Sequence, residues 1–319
     1  MAAQRAFRFG VINETIGSAE QWRERVSQTE ALGYATFLIR DHLVPDFFGP
    51  QLAPLPALMA AAGLTTTLRI GTLVLATDYR HPALLAKEAA TLDFLSAGRL
   101  ELGLGAGWLR REYDSAGIRY DTPGVRIARL AEAIQMLKGL FGDGLVTFAG
   151  EHYRVTDLAN VPPPVQRPHP PLLIGGGGKR ILTLAGREAT IVSILTTSVA
   201  TGVVTDDPSE RLPARVAAKI AWVRQGAGER FAAIELSLVP TILLTDHRRQ
   251  ATEAFIRDRG WIGISVERVW QMPSIFIGSV DQIASDMQQR RAELGISYYV
   301  LSDTVLTEMA PLVARLAGR

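Results

Sequence analysis

The residue pair best suited to chemistry in this sequence is Asp41-His42, which follows the apolar segment 35–39 after a single arginine. A histidine at the end of a strand can donate a hydrogen bond to a bound ring or move a proton near neutral pH. The alternative that the residues leave open is an aspartate that caps a helix beside a structural histidine. The sequence places no second histidine, cysteine or carboxylate at ligand spacing, so the pair predicts no metal site.

Two glycine clusters offer backbone that a ligand could approach closely. Gly105-Ala106-Gly107 follows the strand-like segment 99–104, and Gly175-Gly176-Gly177-Gly178 precedes Lys179-Arg180. Glycine amides at the start of a helix can bind a phosphate, because they point at the anion and the helix dipole favours negative charge. Trp108 replaces the third glycine of a dinucleotide fingerprint, and the second cluster lacks P-loop spacing. Tight turns without a ligand are the alternative for both clusters.

Alternating strands and helices must position these residues. The apolar pattern predicts buried parallel strands over residues 7–12, 35–39, 69–76, 99–104, 171–174, 190–195, 234–244 and 298–302. Segments with helical periodicity, such as 124–140, separate most of these strands. About eight strand–helix repeats without a strand-only block predict a TIM (β/α)8 barrel with insertions, in one domain over residues 1–319. A doubly wound sheet is the alternative.

In such a barrel the loops after the carboxyl ends of the strands carry the chemistry. We therefore expect Asn13, Asp41-His42, Ala76-Thr77 and both glycine clusters to meet at one rim. The polar segment 196–208 follows the sixth predicted strand, and we interpret it as a mobile lid. Residues 142–154 alternate like a hairpin with Gly150 at its turn, and residues 260–273 are predicted to be irregular.

Charge and composition disfavour several classes of protein. The 319 residues carry 34 Lys and Arg against 32 Asp and Glu, a net charge of +2 without a basic block, so no nucleic-acid partner is expected. The absence of cysteine excludes disulfides and thiolate chemistry. No apolar run approaches the roughly 18 residues that span a bilayer, and the amino terminus has no signal-peptide core. The sequence thus predicts a cytoplasmic protein with a small-molecule substrate and no membrane partner.

Two stretches resemble signature blocks of the bacterial luciferase-like superfamily. They are RIGTLVLATDYRHPALLAKEAATLDFLSAGRLELGLGAGWLRREYDSAG and VQRPHPPLLIGGGGKRILTLAGREATIV. The resemblance covers nearly the whole chain and implies a TIM barrel that binds flavin mononucleotide (FMN) or the deazaflavin coenzyme F420 at its carboxyl-end rim. Deazaflavin members often carry Asp-His after the second strand, as Asp41-His42 does here, whereas flavin monooxygenases often carry Glu-His-His. The resemblance therefore favours F420.

The resemblance also implies roles for individual residues. His42 would lie beside the ring as the catalytic residue, and the Leu73–Val74 bond would be a non-proline cis peptide behind the ring. The cofactor-binding residues would be Asp41, His42, Leu73, Val74, Ala76, Thr77, Gly105, Ala106, Gly107, Gly176, Gly177 and Gly178. Asn13, Trp108 and Arg111 would face the substrate. Because members of the family usually form dimers, a homodimer is expected.

The predicted function is an F420-dependent oxidoreductase that transfers a hydride between F420 and a small organic substrate. Trp108 occupies the position at which the sugar-phosphate dehydrogenases of this group carry a glutamate as general acid, which disfavours glucose-6-phosphate as the substrate. One alternative is an FMN-dependent monooxygenase that uses oxygen and reduced flavin. A deazaflavin carries hydride but does not activate oxygen, so the cofactor decides the class of reaction. The other alternative is a barrel that binds a flavin or another ligand without turnover.

Overall fold

Parallel strands pair into a closed barrel in the computed structural model, which describes residues 4–45, 49–199 and 202–319. The strands are β1 (Arg8–Asn13), β2 (Thr36–Ile39), β3 (Arg69–Thr72), β4 (Leu75–Ala76), β5 (Leu100–Gly105), β6 (Val146–Ala149), β7 (Arg154–Leu158), β8 (Leu172–Gly176), β9 (Ile191–Ile194), β10 (Glu235–Leu238), β11 (Thr241–Leu244), β12 (Ile275–Gly278) and β13 (Ile296–Ser302). The order around the barrel is β3-β2-β1-β13-β10-β9-β8-β5-β4, and β3 also pairs with β5. With β3 and β4 counted as one interrupted strand, the described chain forms the eight-stranded barrel predicted from the sequence. An open doubly wound sheet is excluded, because the pairing closes on itself.

Helices pack around the outside of this barrel. They are α1 (Ala19–Ala31), α2 (Pro54–Leu64), α3 (Pro82–Leu95), α4 (Arg110–Ala116), α5 (Pro123–Leu140), α6 (Lys179–Glu188), α7 (Pro213–Ala227), α8 (Arg248–Asp258), α9 (Val266–Gln271), α10 (Val280–Leu294) and α11 (Ala310–Leu316). Ser18 caps α1 as predicted and forms a capping box with Gln21. The main hydrophobic core lies between these helices and the outward side chains of the strands. None of the described helices is long and apolar enough to cross a membrane.

The prediction of one strand over residues 234–244 is wrong. β10 ends at Leu238, and β11 leaves the barrel to pair in parallel with β12 in a separate two-stranded sheet. Pro240 lies between β10 and β11 and lacks the amide hydrogen that a continuous ladder would need. The stretch predicted as irregular, 260–273, contains α9, and the sequence reasoning also missed β12 and α4. The hairpin prediction is confirmed, since β6 and β7 pair antiparallel on either side of Gly150.

The third strand of the barrel is interrupted beside the candidate site. β3 ends at Thr72 and β4 begins at Leu75, and the intervening Leu73–Val74 peptide bond is cis, as the resemblance implied. The hydroxyl of Thr72 donates to the carbonyl of Gly103 at 2.8 Å and accepts from its amide at 2.9 Å. A side-chain hydroxyl thus joins β3 to β5 at the point where the ordinary ladder between the two strands stops.

Ion pairs fill the amino-terminal end of the barrel. Arg8 of β1 contacts Glu101 of β5 at 2.5 Å and Glu235 of β10 at 3.1 Å, and Arg69 of β3 contacts Glu101 at 2.7 Å. Because β1 is not a neighbour of β5 or β10, these pairs cross the barrel interior. Above them lies an apolar layer that includes Ile12, Leu38, Leu173, Tyr298 and Val300. The polar candidates therefore stand above this filled interior, at the carboxyl end.

Replacement of Gly103 by alanine should destabilise the barrel. A Cβ at Gly103 would overlap the carbonyl oxygen of Thr72, so β3 and β5 would have to separate, at a cost of about 2–3 kcal/mol. The control is Gly63→Ala in α2, where no described atom lies within 4 Å of an added Cβ, and this change should stabilise the protein by up to about 1 kcal/mol. Urea denaturation followed by circular dichroism measures both, and equal stability of the two variants would contradict the close approach.

Candidate active site

Asp41 links the end of β2 to the end of β4. Its Oδ2 accepts a hydrogen bond from the amide of Ala76 at 3.0 Å, and both of its carboxylate oxygens contact the Arg80 guanidinium, at 2.5 and 2.9 Å. The Asp41 side chain is buried, so this bidentate pair is shielded from water. The carboxylate predicted to bind the cofactor therefore already holds two strand ends together, and its contact with a cofactor stays a prediction.

Val74 fills the inner wall of the barrel mouth between the ends of β5 and β8. A Cβ built on Gly105 would lie 2.6 Å from Val74 Cγ2, and one built on Gly175 would lie 3.3 Å from Val74 Cγ1. Gly105 is required because the valine occupies the space that a side chain there would take, and a side chain at Gly175 would be in tight contact with the same valine. Thr77 donates to the carbonyl of Gly105 at 3.1 Å and joins the same wall. The structure thus brings together the predicted residues of the third, fourth and fifth barrel strands.

His42 pairs with Glu112, a residue that the sequence reasoning did not select. Nδ1 of His42 lies 3.0 Å from Oε1 of Glu112, and the imidazole stands edge-on to the Trp108 ring with the centroids 5.9 Å apart. Tyr79 donates to Oε2 of Glu112 at 2.8 Å, and the amide of Leu43 donates to Oε1 at 2.6 Å. Burial alone would raise the pKa of Glu112, but these donors and the nearby His42 outweigh it and hold the pKa below its usual value.

Tyr113 fixes the segment that carries Trp108 and, within α4, Glu112. Gly107 has a positive φ of 68°, and a Cβ there would overlap the Tyr113 hydroxyl. That hydroxyl donates to Asp78 at 3.0 Å, and Asp78 in turn pairs with Arg129 of α5 at 2.8 Å. Burial, followed by the charge of Asp78, raises the pKa of Tyr113. Gly107 is therefore needed so that the buried tyrosine can hold α4 against the barrel end.

The second glycine cluster leads into the amino terminus of α6. Gly178 is the N-cap of this ten-residue helix, and no described side chain caps it. A Cβ at Gly178 would meet no described atom within 4 Å, so its backbone faces open space beside the exposed Lys179 and Arg180. The carbonyl of Leu195 lies 3.1 Å from a Cβ built on Gly177 and accepts a hydrogen bond from the buried Lys219 at 2.7 Å. A helix start without a side-chain cap, the helix dipole and two cations together suit a phosphate.

Asn13 lies on the opposite side of its strand from the barrel interior. Its Nδ2 donates to the carbonyl of Thr15 at 2.7 Å and to Asp303 at 2.9 Å, and its Oδ1 accepts from the Trp22 indole at 3.0 Å. A substrate would have to displace these bonds, so the assignment of Asn13 to substrate binding stays a prediction. Arg111 is exposed on α4, beside a cleft of about 610 Å³ lined by α4 residues, Gly202 and Val203, and its role is likewise untested.

Glu14 and Arg40, rather than Asn13, face the mouth. Gly10 and Ile12 of β1 pair with Thr36 and Leu38 of β2, and Ile12 and Leu38 belong to the interior layer. Strand alternation continues this inward side to Glu14 and Arg40, whose side chains pair at 2.6 Å. Ser302 at the end of β13 donates to Glu14 at 2.5 Å. The two-residue alternation of the apolar residues was a signal that could have found this group.

The predicted lid, 196–208, includes residues 200 and 201, which lie outside the described residues. In its described part Ser198 pairs with Thr205 through backbone hydrogen bonds. Asp206 at its far end accepts from Arg211 at 2.8 Å and also pairs with Arg259. Burial would raise the pKa of Asp206, but these guanidinium groups lower it. The end of the segment is thus held by charge, and motion of the remainder stays a prediction.

The closed parallel barrel, with its polar residues at the carboxyl ends of the strands, indicates the family to which the protein belongs. Residues 6–295 match the family described as luciferase-like monooxygenase, which spans most of the chain. The protein therefore belongs to the luciferase-like monooxygenase family.

Curated relatives in this family use two kinds of cofactor. An F420-dependent glucose-6-phosphate dehydrogenase from Microbacterium testaceum is 35% identical over 163 residues, which are 50% of this chain and 48% of that protein. An FMNH(2)-dependent dimethylsulfone monooxygenase from Pseudomonas putida is 35% identical over 106 residues, 33% of this chain and 29% of that protein. The chain thus spans about half the length, or less, of these relatives.

Among solved structures, an F420-dependent secondary alcohol dehydrogenase in complex with an F420-acetone adduct superposes with a TM-score of 0.77. That likeness covers 98% of this chain and 99% of the other, at 16% sequence identity. At this level of identity it shows a shared fold.

Replacement of Asp41 by asparagine should destabilise the rim. The change removes the charge from a buried bidentate pair and leaves Arg80 without its counter-charge, which should cost about 3 kcal/mol. The matched control is Asp114→Asn, which breaks an exposed pair with Arg110 and should cost less than about 1 kcal/mol. Chemical denaturation of the two variants measures the difference, and similar losses would show that the Asp41 pair is not shielded.

Proposed function

We propose that this protein is an F420-dependent oxidoreductase that transfers a hydride between F420 and a small organic substrate. The observation that carries the proposal is that His42 follows β2, Val74 lies between β3 and β4, and Gly178 follows β8, so that all three stand after the carboxyl ends of barrel strands. The F420-dependent names of a curated relative and of a structural neighbour support it. The sugar-phosphate dehydrogenases of this group carry a glutamate where this chain has Trp108. We therefore do not propose glucose-6-phosphate as the substrate.

The residues at the mouth fit a phosphorylated ring cofactor. The amides of Gly177 and Gly178, with Lys179 and Arg180, would hold the phosphate, because a helix amino terminus and two cations favour an anion. The side chain of Val74 would support one face of the ring. When bound, F420 would supply the hydride acceptor or donor.

Side chains of the protein would accept the proton that the substrate releases and would exclude water from the site. Removal of a hydride from a carbon that bears a hydroxyl also releases the hydroxyl proton, and His42 is the group at the mouth suited to accept it. The Trp108 ring packs against the imidazole in a T-shaped arrangement and places apolar surface beside it. Glu14, Arg40 and Ser302 form a polar group at the ends of β1, β2 and β13, where they would meet the polar part of a substrate. Burial lowers the pKa of Arg40, an effect that Glu14 opposes.

The second candidate function is an FMN-dependent monooxygenase. The same phosphate-binding backbone would accept the phosphate of FMN, and the dimethylsulfone monooxygenase relative favours this reading. Titration of the apoprotein with F420 and with FMN, followed by fluorescence, compares the two cofactors directly. Tight binding of F420 and hydride transfer without oxygen support the proposal. Turnover that requires FMN and oxygen would replace it with the monooxygenase function. Binding without any turnover would favour the barrel that has lost catalysis.

The expected homodimer and the cytoplasmic location stay predictions. So does the assignment of residues 1–319 to a single domain.

Replacement of Gly177 by valine should weaken binding of the phosphorylated cofactor at least about tenfold. The side chain would press on the carbonyl of Leu195 and turn the neighbouring amides away from the phosphate, and one hydrogen bond to a charged group contributes roughly 1.5–3 kcal/mol. The phosphate-free deazaflavin fragment of F420 provides the control, since its affinity should change little. Equal losses for the two ligands would place the damage at the ring and not at a phosphate site.

Replacement of His42 by alanine should lower the hydride-transfer rate roughly 10²–10⁴-fold if the imidazole acts as a general acid or base. Stopped-flow absorbance of the deazaflavin under anaerobic conditions measures the rate. His81→Ala is the control, because that exposed histidine caps α3 through the amide of Ala83 and lies outside the proposed site. A rate for the His42 variant equal to that of the control would remove His42 from the chemistry.

A further inference from the structure

The carboxylate of Glu112 is a buried hydrogen-bond acceptor with donors on both oxygens. Its exposed fraction is 2%, and its Oε1 lies 2.6 Å from the amide nitrogen of Leu43 and 3.0 Å from Nδ1 of His42. Its Oε2 accepts from the Tyr79 hydroxyl at 2.8 Å. With donors on both oxygens, Glu112 is the ionised carboxylate, which has no hydrogen to donate, so Oε1 can only accept from the Leu43 amide and from Nδ1 of His42.

Because Oε1 of Glu112 accepts hydrogen bonds, it fixes the protonation of Nδ1 of His42, which faces it. Two acceptors cannot form a hydrogen bond, so Nδ1 of His42 must carry a hydrogen to bond Oε1 at 3.0 Å. A neutral imidazole carries one N–H, which leaves Nε2 as the nitrogen that gains or loses a proton. The ionised form of Glu112, favoured by its lowered pKa, strengthens this bond.

We infer that Glu112 is a positioning residue that holds His42 in the Nδ1–H tautomer and thereby assigns proton transfer to Nε2. The neighbouring Asp41 is not available for this task, because Arg80 and the amide of Ala76 engage its carboxylate. The same Glu112 oxygen that bonds Nδ1 also bonds the backbone of Leu43, so the ring and its own chain segment are held from one point. The catalytic consequence of this arrangement rests on the proposed function, whereas the tautomer itself does not.

The competing explanation is that Glu112 serves only as a structural clamp for the loop after β2. Such a clamp would affect stability but would not select between the two nitrogens of His42. The test must therefore separate the tautomer from the stability of the fold.

Nitrogen-15 NMR of the histidine rings in the cofactor-free protein provides that test, with His42→Gln used to assign the signals. At a pH at which the spectrum shows neutral His42, the wild type should be protonated at Nδ1. Glu112→Gln should keep this tautomer, because the Leu43 amide still requires an oxygen at the shared position. Glu112→Leu removes the acceptor and should shift His42 towards the Nε2–H form. Tyr79→Phe, which removes only the donor to Oε2, should leave the tautomer unchanged.

Anaerobic hydride transfer with F420 then measures the consequence. Glu112→Leu should lower the rate roughly 10²-fold or more, with little change in F420 affinity, because a wrong tautomer disables proton transfer. Glu112→Gln should retain much more of the rate than Glu112→Leu. A wild type or Glu112→Gln protein protonated at Nε2 would overturn the inference even if Glu112→Leu fails to fold. An unchanged tautomer in folded Glu112→Leu would overturn it as well. Failure of the wild type to bind F420 would instead count against the proposed function and leave the tautomer result standing.

Discussion

The packing of Val74 against Gly105 and Gly175 is the constraint on which the barrel mouth depends. Three neighbouring barrel strands meet at this point, and the valine side chain occupies the space above both glycines. A side chain at Gly105 would displace the valine, and one at Gly175 would press on it more weakly. The interruption between β3 and β4 is tolerated because Thr72 and Thr77 each bond a carbonyl of β5 on either side of it.

At the rim, some charged groups stabilise the fold, and other polar groups are placed where they could contact bound molecules. Asp41 is committed to Arg80, and Asp303 accepts hydrogen bonds from Asn13 and from Thr15. Donors of the protein replace the water that these buried carboxylates have lost on folding. His42, which is bonded to Glu112, and the pair of Glu14 with Arg40 are polar rim groups whose placement suits contact with bound molecules. If His42 is catalytic, as we propose, these fixed partners would let it act without rearrangement of its surroundings.

Much of the architecture could be predicted because buried parallel strands and amphipathic helices leave periodic signals. The segments ending near Ile39 and Leu104 are strands as predicted, and α5 follows the helical spacing of its apolar residues. The failure at residues 234–244 has a local cause, since two short apolar strands flank Pro240 and read as one run. The resemblance to a family located the interrupted third strand, which no periodicity indicated.

The sequence by itself determined the barrel, its carboxyl-end rim and the place of His42 on that rim, because these follow from patterns within a few residues. Only the tertiary structure decided which residues form hydrogen bonds and ion pairs with the rim residues. His42 meets Glu112, which lies 70 residues later, while the adjacent Asp41 turns to Arg80, 39 residues away. Glu14, the residue after β1, pairs with Arg40 and Ser302, whereas Asn13 bonds the Trp22 indole. Such pairings depend on how packed strands and helices bring distant segments to within 3 Å or so of one another, and no local pattern records that distance.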